Sequence, residues 1–353
     1  MNLILGETLR GLSGPILVTG HTGFKGTWVT LLLEMLNIPV VGISLPPERD
    51  SLYSIIGREN KIEEKFIDVR DLNQLQSAVQ EYAPHAVLHM AAQPLVLESY
   101  KSPLSTFETN VMGTANLLQS CLHTGSIKTI GVVTTDKVYR NLGNGISFTE
   151  SDPLQGRDPY SASKVGTESV VSAWRQLSMN QGGPQIFSLR AGNVIGGGDR
   201  AQNRLLPDIV NSKQYGNPLE VRNPNSTRPW QHVLDPLRGY LMALERSLSQ
   251  QISPAYNFGP SSKSLTVGNV IEIANSTWGN SLILKNSDNS QDKKYEAEEL
   301  AIDPSLSSKE LGWYPLWSQE EAVRSTIKWW QKVFEGTATA HESCILDIEH
   351  LLA

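Results

Sequence analysis

The sequence predicts an α/β fold, a doubly wound parallel sheet joined by a smaller, partly interleaved lobe. Short apolar runs without strict alternation recur through the first half of the chain, as in strands buried on both faces. Segments of helix length separate these runs, which indicates parallel strands with helical crossovers. A glycine-spaced turn directly follows the first run and opens a helix.

The elements follow in order along the chain. Strands are predicted at 16–19, 40–44, 65–68, 86–90, 129–134, 185–190 and 256–259. A helix is predicted over Val29 to Leu36, and another begins after a capping Asp71 and ends at Tyr82. After Arg190, glycine and proline pairs introduce loops and shorter elements. We therefore expect residues 1–190 to form the larger domain, with 228–262 returning to it, and residues 191–353 mainly the smaller lobe.

Composition restricts the class of protein. The 353 residues are 39% hydrophobic and 19% charged, with a net charge of −6. The chain has no dense Lys/Arg tract, so we expect no binding to nucleic acid or an anionic membrane. Two cysteines form no disulfide framework and are typical of a reducing compartment. No apolar stretch reaches the ~20 residues of a membrane span, and the N-terminus does not read as a signal peptide. We expect a soluble cytoplasmic protein and predict no metal site.

The turn after the first strand carries glycines at Gly20, Gly23 and Gly26. This spacing permits a tight turn and a close approach of the backbone to a pyrophosphate, and the following helix N-terminus supplies free N–H donors. The turn therefore predicts a Rossmann-type dinucleotide site, which Thr22, Phe24 and Lys25 would also line.

The adenosine end of that site lacks an expected feature. An NAD enzyme usually carries an acid at the end of the second strand, whereas this chain has Gly-Ile-Ser-Leu at 42–45. Lys25 and His21 could meet a 2′-phosphate, or they could be solvated loop residues. We predict NAD with NADP as the alternative, and we expect Asp68 and Val69 at the adenine edge.

Tyr160 and Lys164 are spaced four apart, which places a phenol and an ammonium on one face of a helix. The ammonium is expected to lower the phenol pKa, so that the pair can remove a hydroxyl proton while hydride leaves the same carbon. At the end of the fifth strand, Thr135 can bond the reacting hydroxyl. Asp136 and Lys137 add an acid/base couple that simple alcohol oxidation does not need.

Seven motifs together resemble the extended short-chain dehydrogenase/reductase family, which acts on nucleotide sugars, and most closely its CDP-glucose 4,6-dehydratase branch. They are GHTGFKG (20–26), HMAAQPLV (89–96), TNVMGT (109–114), TTDKVY (134–139), DPYSASK (158–164), RAGNVIGGGD (190–199) and RPWQHVLDPL (228–237). The similarity continues through LGWYP (311–315) and HESCILDI (341–348).

The resemblance implies an internal redox dehydration. Tyr160 would take the sugar 4-hydroxyl proton as NAD⁺ accepts the C4 hydride, water would leave from C5–C6, and the hydride would return to C6. Asp136 would protonate the departing 6-hydroxyl. Lys137 stands where the dTDP-glucose dehydratases carry a glutamate base, so it would act at C5 either as a neutral base or as a charged stabiliser of the enolate.

The resemblance also implies binding residues and partners. Further cofactor contacts would be Ala91, Ala92, Gln93, Asn110, Thr134, Tyr160 and Lys164. The nucleotide-sugar contacts would be Gln93, Asn193, Arg204, Arg222, Asn223, Arg228 and Gln231. The helices of 98–122 and 163–180 resemble the family's subunit interface, which predicts a homodimer or homotetramer.

Two alternatives to a dehydratase remain at this point. A nucleotide-sugar 4-epimerase also needs Tyr160 and Lys164 but gains nothing from Asp136 and Lys137. A non-catalytic dinucleotide-sensing protein of the same fold would typically have lost the tyrosine or the lysine, and here both are present.

Overall fold

A computed structural model describes residues 5–143, 145–221, 223–286 and 300–353. Its strands, in chain order, are β1 Ile16–Thr19, β2 Val40–Ser44, β3 Glu63–Phe66, β4 Ala86–His89, β5 Thr129–Val133, β6 Ser147–Phe148, β7 Gln185–Ala191, β8 Val194–Ile195, β9 Leu219–Val221, β10 Thr227–Arg228, β11 Gln231–His232, β12 Ala255–Phe258, β13 Leu265–Thr266, β14 Leu284–Asn286 and β15 Ala301–Ile302.

Seven of these strands form one parallel sheet in the order β3-β2-β1-β4-β5-β7-β12. The predicted doubly wound α/β fold is therefore confirmed. The strand order reverses between β1 and β4, and in such sheets ligands bind at the carboxyl ends of the strands beside that point.

The strand predictions hold where strands are buried on both faces. Every residue of β1, β4 and β5 is buried, as apolar runs in a parallel sheet should be. The prediction of a strand at 65–68 is wrong by two residues, since β3 runs from Glu63 to Phe66 and is partly exposed. β3 is an edge strand paired only with β2, and its charged sequence lacks the apolar run that marks the inner strands.

The helices flank the sheet. In chain order they are α1 Glu7–Arg10, α2 Phe24–Met35, α3 Leu52–Ile55, α4 Leu72–Tyr82, α5 Val96–Lys101, α6 Pro103–Phe107, α7 Gly113–Leu122, α8 Pro159–Asn180, α9 Leu205–Tyr215, α10 Leu234–Ser249, α11 Val267–Thr277, α12 Ser305–Leu311, α13 Gln319–Glu335 and α14 Ala340–Leu352. A π-helical segment, Glu108–Met112, joins α6 to α7, and a 3₁₀ turn, Asp136–Val138, follows β5.

The helix predicted from Val29 begins at Phe24, because Gly23 is its N-cap and the glycine turn leads straight into it. Asp71 caps α4, as predicted, by accepting a hydrogen bond from the Gln74 N–H.

Residues beyond 191 contribute both to the main sheet and to small separate sheets. β12 joins the edge of the main sheet beside β7, whereas β8 pairs with β11 and β10 with β13 in small separate sheets. A single hydrophobic cluster contains side chains of β1, α2, α10, α13 and α14. The C-terminal helices are therefore packed against the same core as the dinucleotide turn.

Within the described ranges, no helix is long and apolar enough to cross a membrane. The same residues contain no cluster of three or more His, Cys, Asp or Glu side chains that could hold a metal ion.

Candidate active site

The glycine turn closes tightly against the end of β4. Gly20 has a φ of +73°, and a Cβ there would lie 2.8 Å from the backbone nitrogen of Ala91. A Cβ on Gly26 would lie 2.1 Å from the carbonyl oxygen of Gly20, so the helix can sit on the turn only with glycine at this position. Gly23 caps α2 without a side-chain hydrogen bond. The first N–H groups of α2 are thus available to a phosphate group.

His21 and Lys25 do not occupy the places that the sequence suggested. His21 is completely buried, its Nε2 lies 2.7 Å from the carboxylate of Glu64, and a Cβ on Gly42 would collide with its ring at 2.5 Å. For His21 both interpretations, a 2′-phosphate contact and a solvated loop residue, are therefore wrong.

The Lys25 side chain is turned inward. Its Nζ lies 3.4 Å from the hydroxyl of Tyr240 and 5.5 Å from the centre of that ring. Burial and, to a smaller extent, the positive charges of Lys164 and Arg204 together lower the pKa of Lys25 to about 7. The ammonium of Lys25 therefore faces the catalytic end of the crevice.

The adenosine end is held by short polar contacts. The Thr22 hydroxyl lies 2.8 Å from that of Ser44 and donates to the carbonyl of Leu45 at 3.0 Å, which binds the turn to the end of β2. The Asp68 carboxylate accepts a 2.7 Å hydrogen bond from Arg70.

Two further predicted cofactor residues are Val69 and Phe24. A Cβ on Gly113 would lie 2.6 Å from the side chain of Val69, which packs the residues after β3 against α7. Phe24, partly buried, begins α2.

The loop after β4 is fixed by reciprocal hydrogen bonds between the Asn110 side chain and the backbone of Gln93. The Asn110 side chain accepts from the Gln93 N–H at 2.8 Å and donates to the Gln93 carbonyl at 3.1 Å and to Ser163 at 2.8 Å. The Gln93 side chain donates to Thr106 at 2.9 Å. Asn110 and Gln93 therefore join this loop, which includes Ala91 and Ala92, to the catalytic helix, and direct contact with the cofactor stays a prediction.

His89 belongs to this part of the site although the sequence analysis assigned it no role. Its Nδ1 lies 2.6 Å from the Thr19 hydroxyl and its Nε2 3.0 Å from that of Thr114. Burial lowers its pKa to about 3, with a smaller contribution from the charge of Lys164, so the ring is neutral. Its two hydrogen bonds connect β4 to β1 and to α7. The sequence feature that could have indicated this role is the position of His89 at the start of the HMAAQPLV motif.

The predicted catalytic pair lies on the first two turns of α8. Asp158 caps this helix by accepting from the Ser161 N–H at 2.9 Å, and the Tyr160 N–H donates to Ser99 at 3.0 Å. The Lys164 ammonium donates to the carbonyl of Val133, the last residue of β5, at 3.2 Å. Both catalytic side chains are buried.

The titration of the pair differs from the expectation. Burial raises the pKa of Tyr160 to about 12, although a hydrogen bond with Thr135 and the charge of Arg204 act in the opposite direction. The predicted lowering of the phenol pKa is therefore wrong for the protein by itself, because desolvation outweighs the two groups that lower it, Thr135 and Arg204. Burial lowers the pKa of Lys164 to about 8, against the charge of Glu168.

Thr135, Asp136 and Lys137 form a compact group at the end of β5. The Thr135 hydroxyl donates to Asp136 Oδ1 at 3.0 Å and accepts from the Lys137 N–H at 3.3 Å. The Lys137 ammonium lies 3.6 Å from Asp136 Oδ1 and 3.5 Å from the side-chain oxygen of Asn193. The neighbouring Thr134 hydroxyl points away, to Glu168 at 2.6 Å.

Asp136 carries an unpaired oxygen. The residue is fully buried, and its Oδ2 has no hydrogen-bond partner among the described residues. A Cβ on Gly192 would lie 1.9 Å from this oxygen. Gly192 is thus needed to accommodate the carboxylate, a role that the RAGNV motif contains but that the sequence analysis did not assign.

The predicted substrate residues have different surroundings. Asn193 has a φ of +26° and directs its side-chain oxygen to Lys137. Arg204 lies 3.3 Å from Asp199. Arg228 is buried and donates to the carbonyl of Thr227 at 2.7 Å.

The remaining predicted substrate residues are Gln231, Asn223 and Arg222. Gln231 is buried, and its side-chain N–H groups donate to the carbonyls of Gly192 at 2.9 Å and Phe258 at 2.8 Å. Its Oε1 has no partner within the described part of the chain, so a nucleotide contact stays a prediction for that atom. Asn223 is exposed on the loop before β10, and Arg222 lies outside the described residues.

Comparison with known proteins places this geometry in context. The family model described as GDP-mannose 4,6 dehydratase matches residues 17–326. The CDP-glucose 4,6-dehydratase of Salmonella typhimurium (strain LT2) is 40% identical over 332 residues, which cover 91% of this chain and 91% of that protein.

Two solved structures have the same fold. One is the dTDP-glucose 4,6-dehydratase DesIV from Streptomyces venezuelae with NAD and TYD bound, which has a TM-score of 0.77 at 24% identity and covers 92% of this chain and 98% of its own. The other is a UDP-glucose-4-epimerase from Stenotrophomonas maltophila with NAD and formylated UDP-arabinopyranose bound. It has a TM-score of 0.79 at 23% identity and covers 92% of this chain and 100% of its own.

Proposed function

We propose that this chain, which belongs to the GDP-mannose 4,6 dehydratase family, is a hydro-lyase that converts CDP-glucose to CDP-4-keto-6-deoxyglucose. One observation carries the proposal: the buried Asp136 and its neighbour Lys137 stand at the same strand end as the Tyr160/Lys164 pair. An oxidising pair alone suffices for an alcohol dehydrogenase or an epimerase, whereas dehydration also needs a proton donor for the departing hydroxyl. The choice of CDP-glucose is supported by the 40% identity to the Salmonella enzyme.

The cofactor is NAD, which fits the glycine turn. The close approach of Gly20 to Ala91 and the side-chain-free N-terminus of α2 leave the backbone N–H groups open to a pyrophosphate. When bound, the dinucleotide accepts the hydride from C4 of the sugar and gives it back at C6. Because the buried His21 is paired with Glu64 and Lys25 is turned to Tyr240, neither basic residue of the turn is placed to bind a 2′-phosphate. This arrangement favours NAD over NADP.

Tyr160 takes the proton of the sugar 4-hydroxyl. With a phenol pKa raised to about 12 by burial, the proton already on Tyr160 must first move to another group. The Thr135 hydroxyl hydrogen-bonds the phenol and lies 3.0 Å from Asp136, so a proton can pass from Tyr160 through Thr135 to the Asp136 carboxylate. This transfer creates the base and the acid of the reaction together, without an exchange with solvent.

The same relay balances the protons of the whole reaction. The proton removed from C5 is matched by one returned to C5 in the product. The water that leaves consists of the 6-hydroxyl and one proton, and the 4-hydroxyl loses one proton. A turnover therefore carries one proton from O4 to the departing hydroxyl, by way of Tyr160, Thr135 and Asp136.

Lys137 acts at C5. Its ammonium lies within 3.6 Å of both the Asp136 carboxylate and the Asn193 side chain, so it can remain charged and stabilise the enolate. It can serve as the C5 base only after it has lost its proton. Loss of exchange of the C5 proton with solvent in Lys137→Met would show that Lys137 takes part at C5.

We further propose that the nucleotide sugar is contacted by Gln93, Asn193, Arg204, Arg222, Asn223, Arg228 and Gln231. The cofactor contacts proposed are those expected from the sequence, with Lys25 turned toward Tyr240. The smaller lobe, mainly 191–353, would supply most of the substrate contacts. Charged arginines suit a diphosphate because their N–H groups can bind it in pairs.

A homodimer or homotetramer is proposed from exposed apolar side chains. They lie on α5, α6, the π-helical segment and α8, which pack against one another, and they are Leu97, Tyr100, Leu104, Phe107, Met112, Leu177 and Met179. Light scattering of the purified protein measures the assembly, and a monomer would refute it. A cytoplasmic location is supported by the two buried free cysteines.

The decisive experiment incubates the protein separately with CDP-glucose, dTDP-glucose and UDP-glucose, each with NAD⁺ or NADP⁺. We expect the alkaline absorbance of a 4-keto-6-deoxy sugar with CDP-glucose and NAD⁺. Product from another nucleotide only would overturn the substrate assignment. Conversion to a 4-epimer, or no reaction with any nucleotide sugar, would overturn the dehydratase assignment.

A further inference from the structure

A buried carboxylate lies one helical turn beyond the catalytic lysine. Tyr160, Lys164 and Glu168 are spaced four apart on α8 and are all buried, so they share one face of the helix. Glu168 Oε1 accepts from the Thr134 hydroxyl at 2.6 Å and from Arg190 Nε at 2.8 Å, and Oε2 accepts from Arg190 Nη2 at 2.8 Å. This two-pronged ion pair is shielded from water.

Arg190 extends the network to the neighbouring strands. Its Nη1 donates to the Tyr139 hydroxyl at 2.9 Å and to the Glu150 carbonyl at 3.1 Å. The Tyr139 hydroxyl in turn donates to Asn257 on β12 at 2.7 Å. Burial by itself would raise the pKa of Glu168, but the hydrogen bonds and charge of Arg190 lower it below its usual range. The carboxylate is therefore a permanent negative charge.

The nearest functional neighbour of that charge is Lys164. Side chains four apart on a helix have Cβ atoms about 5–6 Å from each other, and Lys164 hydrogen-bonds the carbonyl of Val133, the residue before Thr134. Burial lowers the pKa of Lys164 to about 8, and Glu168 is the charge that acts against this loss. Without it, an ammonium this deeply buried would release its proton more readily.

We propose that Glu168 is a positioning residue that keeps Lys164 as an ammonium at working pH, while Arg190 holds the Glu168 carboxylate ionised and in place. Thr134, which connects the same carboxylate to the end of β5, fixes its distance from the lysine. This inference rests on the proposed function for the catalytic role of Lys164 but not for its titration.

The test compares Glu168→Gln with the wild type. The amide keeps the shape of the side chain and one acceptor oxygen but removes the charge. Because a buried Arg190 without its partner can unfold the protein, the double variant Glu168→Gln/Arg190→Met provides a second background in which both charges are absent. The matched control is Glu245→Gln, which alters another buried carboxylate, bound to the N–H groups of Gly6 and Thr8 away from the site.

Two readouts are needed. The first is the pH titration of Lys164 by NMR of protein labelled with ¹³C at the lysine ε-carbons, with the signal assigned from its loss in Lys164→Arg. The second is the pH profile of kcat/KM with CDP-glucose. We expect the Lys164 midpoint to fall by roughly one to two pH units in the variants without Glu168, and the alkaline limb of the profile to fall with it. The control should move neither.

A structural role alone would reduce stability and leave both midpoints in place, and that result in either folded variant would overturn the proposal. The NMR titration needs no turnover. If the wild type failed to dehydrate CDP-glucose, the proposed function would be refuted, while a shifted Lys164 titration would still support the role of Glu168.

Discussion

Replacing Gly192 by alanine tests whether the Asp136 carboxylate takes part in both proton transfers, the activation of Tyr160 and the elimination. Gly192 follows the last residue of β7, and its φ is not among the positive values that disfavour alanine. The substitution therefore acts through its Cβ, which would lie 1.9 Å from Asp136 Oδ2 and 3.1 Å from Pro229. The Gly192 carbonyl is held by Gln231 at 2.9 Å, so the carboxylate must move and not the backbone.

The size of the effect follows from that distance. Ordinary contact begins at 3.4 Å, so the Asp136 oxygen must retreat by about 1.5 Å. A misplacement of about 1 Å typically costs about 100-fold in rate, which corresponds to about 2.7 kcal/mol in the barrier. We expect Gly192→Ala to slow dehydration by at least about 100-fold. Oxidation at C4 should slow as well, because Asp136 accepts the Tyr160 proton through Thr135.

Two assays separate the steps. The absorbance of reduced dinucleotide after rapid mixing with CDP-glucose measures oxidation, and the alkaline absorbance of the 4-keto product measures the full reaction. The control is Gly125→Ala, because a Cβ there meets no atom within 4 Å. Full turnover by Gly192→Ala would contradict the role assigned to Asp136, and C4 oxidation at the wild-type rate would contradict the proton path through Thr135.

Three further outcomes are expected. Lys137→Met should retain C4 oxidation and lose exchange of the C5 proton with D₂O, and unchanged turnover and exchange would remove Lys137 from the reaction. Thr135→Val should lower kcat about 100-fold or more by breaking the proton path to Asp136, and Thr135→Ser should restore it to within a few-fold; an inactive serine variant would argue against the relay. The pKa of Lys25 is about 7 in the folded protein against 10.5 in an ordinary lysine. The unfolded chain therefore binds more protons between these values, and stability rises with pH across that window. Urea unfolding at pH 6 and pH 10 should show a smaller rise in Lys25→Met, by at most about 5 kcal/mol, and an unchanged rise would refute the assignment.

The sequence could predict what depends on local pattern. Buried apolar runs identified the inner strands, and the four-residue spacing placed Tyr160 and Lys164 on one helix face. Sequence pattern could not predict contacts between segments that are distant along the chain. His21 was misinterpreted because its partner Glu64 lies on an edge strand 43 positions away, and the dependence of Asp136 on Gly192 spans 56 positions. The pKa of Tyr160 could not be predicted either, because spacing gives proximity and not desolvation.

Two buried acids flank the catalytic pair, and their surroundings assign them opposite tasks. Glu168 has both oxygens bound by N–H or O–H donors, so it can take up a proton only by giving up a hydrogen bond. Asp136 shares Oδ1 between Thr135 and Lys137, while its Oδ2 has no partner in the described residues and faces the space left by Gly192. A group that must gain a proton and then release it to substrate needs such a free oxygen, whereas a group that must hold a constant charge needs none. The reaction thus requires Asp136 to change its protonation and Glu168 to keep it, and exchanging their surroundings would disable both.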